Sequence, residues 1–188
     1  MRIVAGVARG RSLGRTPNGV RPTSDKVREA LFSILGPIVD ARVLDLFAGT
    51  GALGLEALSR GATCAVLVDE SAHCARAIRE NALSLGFEPR VRVLRLRADR
   101  ALRTLGAEGT RFDLVFVDPP YGRAIGDAIL ADLVRSPVLS PDATVVFEAA
   151  TRDAVPAAPG LRHASARRYG DTTLHFYERT PPTEAAHV

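Results

Sequence analysis

Cysteine is scarce. Cys64 and Cys74 are the only two among 188 residues, too few for a disulfide framework, and no C-x-x-C pair is present. Long apolar runs are lacking too: stretches such as Leu114–Val117 and Thr144–Phe147 fall far short of the ~20 residues that a membrane-spanning helix needs. The segment Met1-Arg2-Ile3-Val4-Ala5-Gly6 has no apolar core, so no secretory signal is expected and the expected location is the cytoplasm. The single lysine, Lys26, follows Asp25, which excludes a Walker-A phosphate loop.

What is present reads as one ordinary globular domain, with 46% hydrophobic and 24% charged residues. Its charge is unevenly placed. Residues 1–28 hold Arg2, Arg9, Arg11, Arg15, Arg21, Arg28 and Lys26 against Asp25 alone, a net +6, while the other 160 residues carry 18 basic and 20 acidic groups. Such asymmetry is the footprint expected of a nucleic-acid-binding arm. If Arg2, Arg9, Arg11, Arg15 and Arg21 neutralise about five phosphates, a fourfold rise in salt weakens binding roughly a hundredfold. A solvated basic tail is the alternative.

Along the chain, residues 1–22 read as short β segments and turns, with Pro17-Asn18-Gly19 as a turn signal. Thr23 or Ser24 can cap a helix whose apolar positions are Val27, Ala30, Leu31, Ile34 and Leu35. Strands and helices then alternate: a strand over Val43–Phe47, a helix over Ala52–Arg60, a strand over Ala65–Val68 and a helix from Ser71 stopped by Gly86. Next come a strand over Val91–Leu96, a short helix over Arg100–Leu105, a strand over Phe112–Val117, a helix over Ile125–Val134 and a strand over Ala143–Phe147. Strands near Arg162–Arg168 and Thr172–Tyr177 form a hairpin through Tyr169-Gly170-Asp171. This alternation predicts an α/β, doubly wound, Rossmann-like sheet, mostly parallel, with ligands bound beyond the carboxyl ends of the strands. The expected division is a basic β extension over 1–22, the main domain over 23–179 and a disordered tail over 180–188.

The strand ends carry the chemistry. The first strand runs into Asp45-Leu46-Phe47-Ala48-Gly49-Thr50-Gly51-Ala52-Leu53-Gly54, where Gly49, Gly51 and Gly54 match G-x-G-x-x-G and open a helix. That pattern alone fits dinucleotides, S-adenosylmethionine or a structural turn. Asp45 suits a ligand bearing an ammonium or sulfonium charge, although it could instead cap the next helix. Asp69, 20 residues after Gly49, can accept from both ribose hydroxyls. Asp99, after the third strand, can accept from an adenine amine or act as a helix cap. Together the three carboxylates outline an adenosine pocket without phosphate-binding groups.

After the fourth strand comes Asp118-Pro119-Pro120-Tyr121. The paired prolines make a rigid corner from which the Asp118 carboxylate and the Pro119 carbonyl can present acceptors in one direction. Tyr121 offers a stacking face for a base. The amino group of a nucleobase is a poor nucleophile because its lone pair is delocalised into the ring. Accepting its two protons localises that pair, and a carboxylate can take the proton as the new bond forms.

Asp45–Gly54, Asp69, Asp99 and Asp118–Tyr121 resemble the motifs of class I S-adenosylmethionine-dependent methyltransferases acting on amino nitrogens. Residues 1–6, Arg9-Gly10-Arg11, Arg21–Phe32 and Arg168-Tyr169-Gly170-Asp171-Thr172 are similar to the RsmD family, which methylates guanine N2 in bacterial 16S rRNA, and the similarity extends to about residue 178. The resemblance implies a seven-stranded sheet ending in an antiparallel hairpin and a basic extension that grips RNA. It also implies S-adenosylmethionine held by Asp45, Phe47, Ala48, Gly49, Gly51, Asp69 and Asp99, with S-adenosylhomocysteine as product. Asp45 and Gly49 would face the methionine part, Asp69 the ribose and Asp99 the adenine. Asp118, Pro119 and Tyr121 are the catalytic set it implies. No metal is expected, and the expected partner of a monomeric protein is 16S rRNA, free or within an assembled small ribosomal subunit. Asp69 departs from the glutamate that many family members carry.

Other readings remain at this point. An NAD-dependent oxidoreductase shares the glycine loop and Asp69 but leaves Asp45 and Asp118–Tyr121 unexplained. A DNA amino-methyltransferase, acting on adenine N6 or cytosine N4, shares the proline corner, yet 188 residues leave little room for a sequence-reading domain. A non-catalytic RNA-binding module is the third. Gly10-Arg11-Ser12-Leu13-Gly14 matches G-x-S-x-G without a strand-to-helix elbow. Cys64, His73 and Cys74 lack zinc spacing, and Glu148 lies within reach of the cleft or in a turn.

Overall fold

A computed structural model describes residues 1–14, 24–120, 123–155 and 157–180, with 123 and 124 described by backbone alone. In chain order the elements are α1 (Asp25–Leu35), β1 (Arg42–Leu46), α2 (Ala52–Ser59), β2 (Cys64–Val68), α3 (Ala72–Leu85), β3 (Val91–Leu94), α4 (Ala98–Ala107), β4 (Phe112–Val117), α5 (Arg123–Arg135), β5 (Leu139–Ala150), β6 (Leu161–Tyr169) and β7 (Thr172–Arg179). The seven strands form one sheet in the order β3-β2-β1-β4-β5-β7-β6. β1 to β5 are parallel, and β7 runs antiparallel to both β5 and β6. None of the described helices is long and apolar enough to cross a membrane.

Alternating side chains send each strand into two cores. Val43, Leu67, Phe116, Val146 and Leu174 pack with α1, α2 and α3 on one face. Leu44, Leu46, Val115, Val117, Val145 and Phe147 pack with α4 and α5 on the other. The helix signals act as local chemistry dictates. The Ser24 hydroxyl accepts from Val27 N at 3.3 Å and the Ser71 hydroxyl from Cys74 N at 3.4 Å, while Gly86 ends α3 in the left-handed region.

Two sequence expectations are corrected here. The apolar stripe predicted for α1 is rotated: Arg28, Leu31 and Phe32 are buried, whereas Ile34 is 40% exposed. Arg28 takes the inward position because its guanidinium bonds the Arg2 carbonyl and Asp25, each at 2.6 Å. The strand predicted over Ala143–Phe147 is longer, because Leu139 pairs with Phe112 and Thr144 with Leu114. The surplus residues on β5 bulge outward, which lets the exposed Pro141 sit inside a strand without breaking the ladder.

Residues 1–14 form a folded-back segment with a single antiparallel bridge, Arg2↔Ser12. It is not a loose arm: Ile3, Ala8 and Leu13 are buried in the α1–α3 core. The buried Glu56 carboxylate accepts from Val4 N at 2.7 Å, Ala5 N at 2.9 Å and Arg60 Nε at 2.8 Å. Ser59 donates to the Ala5 carbonyl at 2.6 Å and accepts from Ala8 N at 3.0 Å. Gly6, at φ 81°, passes so close that a Cβ would lie 1.8 Å from the Ser59 carbonyl oxygen. Gly6→Ala is therefore expected to cost about 1–3 kcal/mol, seen as a melting temperature lower by about 2–12 °C. An unchanged melting temperature would show that the segment does not dock on α2.

Candidate active site

The order of strands reverses between β1 and β4, where an open α/β sheet leaves its binding crevice. Four carboxylates meet that crevice for one geometric reason. Asp45 shares a face with Val43, and it pairs in register with Leu67 on β2 and Phe116 on β4. Asp69 and Asp118 each lie two residues beyond those partners, on the same face. Glu148 lies two residues beyond Val146, the β5 partner of Phe116. Asp69, Asp45, Asp118 and Glu148 thus form a staggered row across β2, β1, β4 and β5, with Asp45 set two residues back from the other three.

The glycine loop is held from both strands. Gly49 N donates to Asp69 Oδ2 at 2.9 Å, Ala48 N to the Val68 carbonyl at 2.9 Å, and Gly54 N to Asp45 Oδ2 at 3.1 Å. Asp69 Oδ1 accepts from Ser71 N at 2.9 Å. Gly51 caps α2 at φ 81°, and Phe47 is held at φ 64°, an uncommon conformation for a side-chain-bearing residue. A Cβ on Gly54 would come within 2.1 Å of Leu67 Cδ2, so glycine there sets how closely α2 approaches β2. Asp45 is only 2% exposed. Burial pushes its carboxyl up to about 7, against the Gly54 N–H that favours the charged form, and the nearby Asp69 adds to the rise.

Asp118 and Pro119 follow β4 directly and are half-buried, while Pro120 is exposed. Burial, then Glu148, then Asp45 hold the Asp118 carboxyl well above the ordinary carboxylate range. Tyr121 lies outside the described residues. Asp99 stands in the first turn of α4, with Arg97 at 3.1 Å and Arg103 at 3.0 Å on its two oxygens; these hydrogen bonds hold it below the usual range. Each oxygen keeps a second lone pair for an adenine amine.

A family described as conserved hypothetical protein 95 matches residues 1–178. The ribosomal RNA small subunit methyltransferase D of Escherichia coli K12 is 38% identical, over 98% of this chain and 93% of that one. The chain belongs to the RsmD family of methyltransferases. The family protein of the same name from Haemophilus influenzae is 32% identical over 79% of this chain and 78% of its own. The solved yhhF protein of Escherichia coli superposes with a TM-score of 0.85 at 36% identity, over 97% of this chain and 99% of that chain. The RsmD-family sheet, with its final antiparallel hairpin, is the one expected from the sequence.

The expected phosphate-binding arginines are dispersed. Arg2 pairs with Asp25 at 3.2 Å. Arg11 donates to the carbonyls of Ser84 and Leu85, capping the C-terminal end of α3. Arg9 is exposed and unpaired among the described residues, and Arg15 and Arg21 lie outside them. Two features escaped sequence reasoning. Buried Asn81 accepts from Gly14 N at 2.7 Å and donates to the Thr50 carbonyl at 3.0 Å, joining the N-terminal segment to the glycine loop. Arg167 pairs in register with Leu174, itself opposite Glu148, which puts this exposed arginine on the crevice side of the sheet. Alternation counted from the hairpin turn was the available signal.

Proposed function

We propose that the protein methylates the exocyclic N2 of a guanine in small-subunit (16S) ribosomal RNA, with S-adenosylmethionine as donor. It acts as a monomer on RNA that is free or within an assembled small subunit. The observation that carries this reading is the row Asp69–Asp45–Asp118 at the switch point, with the proline corner beside the glycine loop. The relatives named for small-subunit rRNA methylation support the substrate.

The residues present fit the donor. Asp45 is a buried carboxylate with an unfavourable charge, which an ammonium or sulfonium would relieve and a pyrophosphate would worsen. Gly49 and Gly51 keep the loop backbone open to a ligand, and Phe47 and Ala48 form the start of that loop. Asp69 accepts from the ribose hydroxyls and Asp99 from the adenine. When bound, S-adenosylmethionine supplies a methyl group on a positively charged sulfur.

The protein's part is positioning and proton handling. Asp118 and the Pro119 carbonyl would accept the two amine protons, which would leave the lone pair of N2 free to face a methyl group held by the glycine loop and Asp45. Tyr121 stacks on the unstacked base. As the N–C bond forms, Asp118 takes the surplus proton, a task suited to a carboxyl that burial and Glu148 hold well above the ordinary carboxylate range. Mass spectrometry of nucleosides from small-subunit rRNA, incubated with enzyme and donor, tests the reading. N2-methylguanosine is expected, and its absence alongside methylated adenine or cytosine would overturn it.

Arg9 and Arg167 are assigned to the RNA backbone together with Arg2, Arg15 and Arg21, whereas Arg11, expected there from the sequence, is held instead on the end of α3. Replacing Arg9 or Arg167 by Ala is expected to weaken rRNA binding and lower its logarithmic salt slope by about 0.7 for each charge removed, while S-adenosylhomocysteine affinity stays unchanged. A slope identical to wild type in both variants would remove these two arginines from the interface.

A further inference from the structure

Glu148 has no role in the scheme above, yet the sheet places it next to the reacting amine. Val117 of β4 pairs with Phe147 of β5, and the next residue on each strand is Asp118 and Glu148. The two side chains fall on the same face, because both follow the parity of Phe116 and Val146 in the α1–α3 core. Neighbouring strands are about 4.8 Å apart. Proximity shows in the electrostatics as well, since Glu148 is the largest charged contributor to the rise in Asp118. Glu148 is itself half-buried, with Leu174 of β7 opposite it.

Position in the sheet decides which part of a base this carboxylate meets. The residues that would hold the donor, Asp45, Gly49 and Asp69, follow from β1 and β2, and Asp118, which would hold the amine, follows β4. The ring attached to that amine therefore extends away from β1, toward β5. A group on β5 meets the atom next to the amino-bearing carbon. In guanine one of the two ring nitrogens there, N1, carries a hydrogen, and with N1 turned toward β5 the other, N3, faces away; the ring nitrogen beside the amino-bearing carbon is an unprotonated acceptor in adenine (N1) and in cytosine (N3). Guanine thus brings three N–H donors, and three acceptors are at hand: the Pro119 carbonyl, Asp118 and, beside it on β5, Glu148. Adenine or cytosine would set a lone pair against a carboxylate in a half-buried crevice, an unpaired and repulsive contact.

We propose that Glu148 is a specificity-determining residue that accepts the N1–H of the target guanine and rejects bases that would turn an unprotonated ring nitrogen toward it. This rests on the guanine-N2 reading above and adds the residue that would select the base. Methyl transfer itself needs nothing from Glu148: the S–C bond breaks with its electrons on sulfur, the N–C bond forms from the N2 lone pair, and the proton leaves to Asp118.

The test uses full-length protein and synthetic rRNA fragments in which the target guanine is kept or replaced by 2-aminopurine. That analogue keeps the 2-amino group but has no hydrogen on N1. Wild type is expected to favour guanine by at least about 10²-fold in kcat/KM, since a site built around a hydrogen bond strongly rejects the analogue lacking it. In Glu148→Gln, whose amide can either accept or donate, the preference is expected to shrink to within about tenfold, with S-adenosylhomocysteine binding retained. Equal use of both bases by wild type would overturn the proposal without any variant. So would an undiminished preference in Glu148→Gln, or in Glu148→Asp should the glutamine variant fail to bind S-adenosylhomocysteine. Failure of wild type to methylate either base would strike the guanine-N2 reading instead.

Discussion

Asp118→Ala is expected to lower methyl transfer by about 10³-fold or more while S-adenosylhomocysteine binds almost as before. The expectation follows from placement. Asp118 ends β4, whereas the buried Asp45 and the loop-holding Asp69 end β1 and β2, so the variant removes an acceptor from the amine without touching the glycine loop. Asp118→Asn separates two contributions. It keeps an oxygen to orient the amine but cannot take the proton, so its rate should fall between the alanine variant and wild type. Wild-type activity should rise with pH through a range well above that of an ordinary carboxyl, because burial, Glu148 and Asp45 all oppose ionisation of Asp118; the alanine variant should lack that rise. Transfer of labelled methyl to small-subunit rRNA and calorimetric titration with S-adenosylhomocysteine measure the two properties. Equal losses in both would move Asp118 into the donor site.

Asp45→Asn should trade binding for stability. The folded carboxyl holds its proton up to about 7, against 3.8 for the free group. Between those values the folded chain binds more protons than the unfolded one, so this group's contribution falls as pH rises from about 4 to 7 and stays low above that. The amide carries no charge to desolvate and keeps an oxygen for the Gly54 N–H. At pH 8 the unliganded variant is expected to be more stable by about 2 kcal/mol, with a melting temperature higher by about 4–8 °C. The gain should vanish near pH 4, where wild-type Asp45 is neutral. Affinity for S-adenosylhomocysteine, which carries an ammonium, should fall about 10²-fold as a charge-assisted hydrogen bond is lost. A variant destabilised at pH 8 with normal affinity would show that Asp45 only caps α2.

Much of this architecture could be read in advance because its causes are local. Ser24, Ser71 and Gly86 act within one turn of where they stand, and the strand ends that hold Asp45, Asp69 and Asp118 follow from apolar runs stopped by Gly49, by the polar Asp69-Glu70-Ser71 and by Pro119. Features made by contacts distant in sequence were hidden. Arg28 reads as a surface residue until Arg2 and Asp25 come to it. Glu56 and Ser59 read as the polar side of α2, and only the return of residues 4–8 shows that they are buried partners. For Glu148 the sequence leaves two places open, within reach of the cleft or in a turn, and pairing with Thr172–Leu174 settles it by extending β5 past this residue. The basic extension was recognised from its charge, but charge could not reveal that Arg11 is spent on the end of α3.

The hairpin leaves β6 as the outer strand of the sheet, and this has a bearing on how copies of the protein behave at high concentration. An unpaired strand invites another chain to add to it. Here that border carries Arg162, Arg167 and Arg168, all exposed, and is kinked where the register shifts between His163 and Ser165. Two such borders repel through Arg167 and Arg168 and cannot lie flat together, so the kinked, basic border discourages copies of the molecule from zipping into fibres.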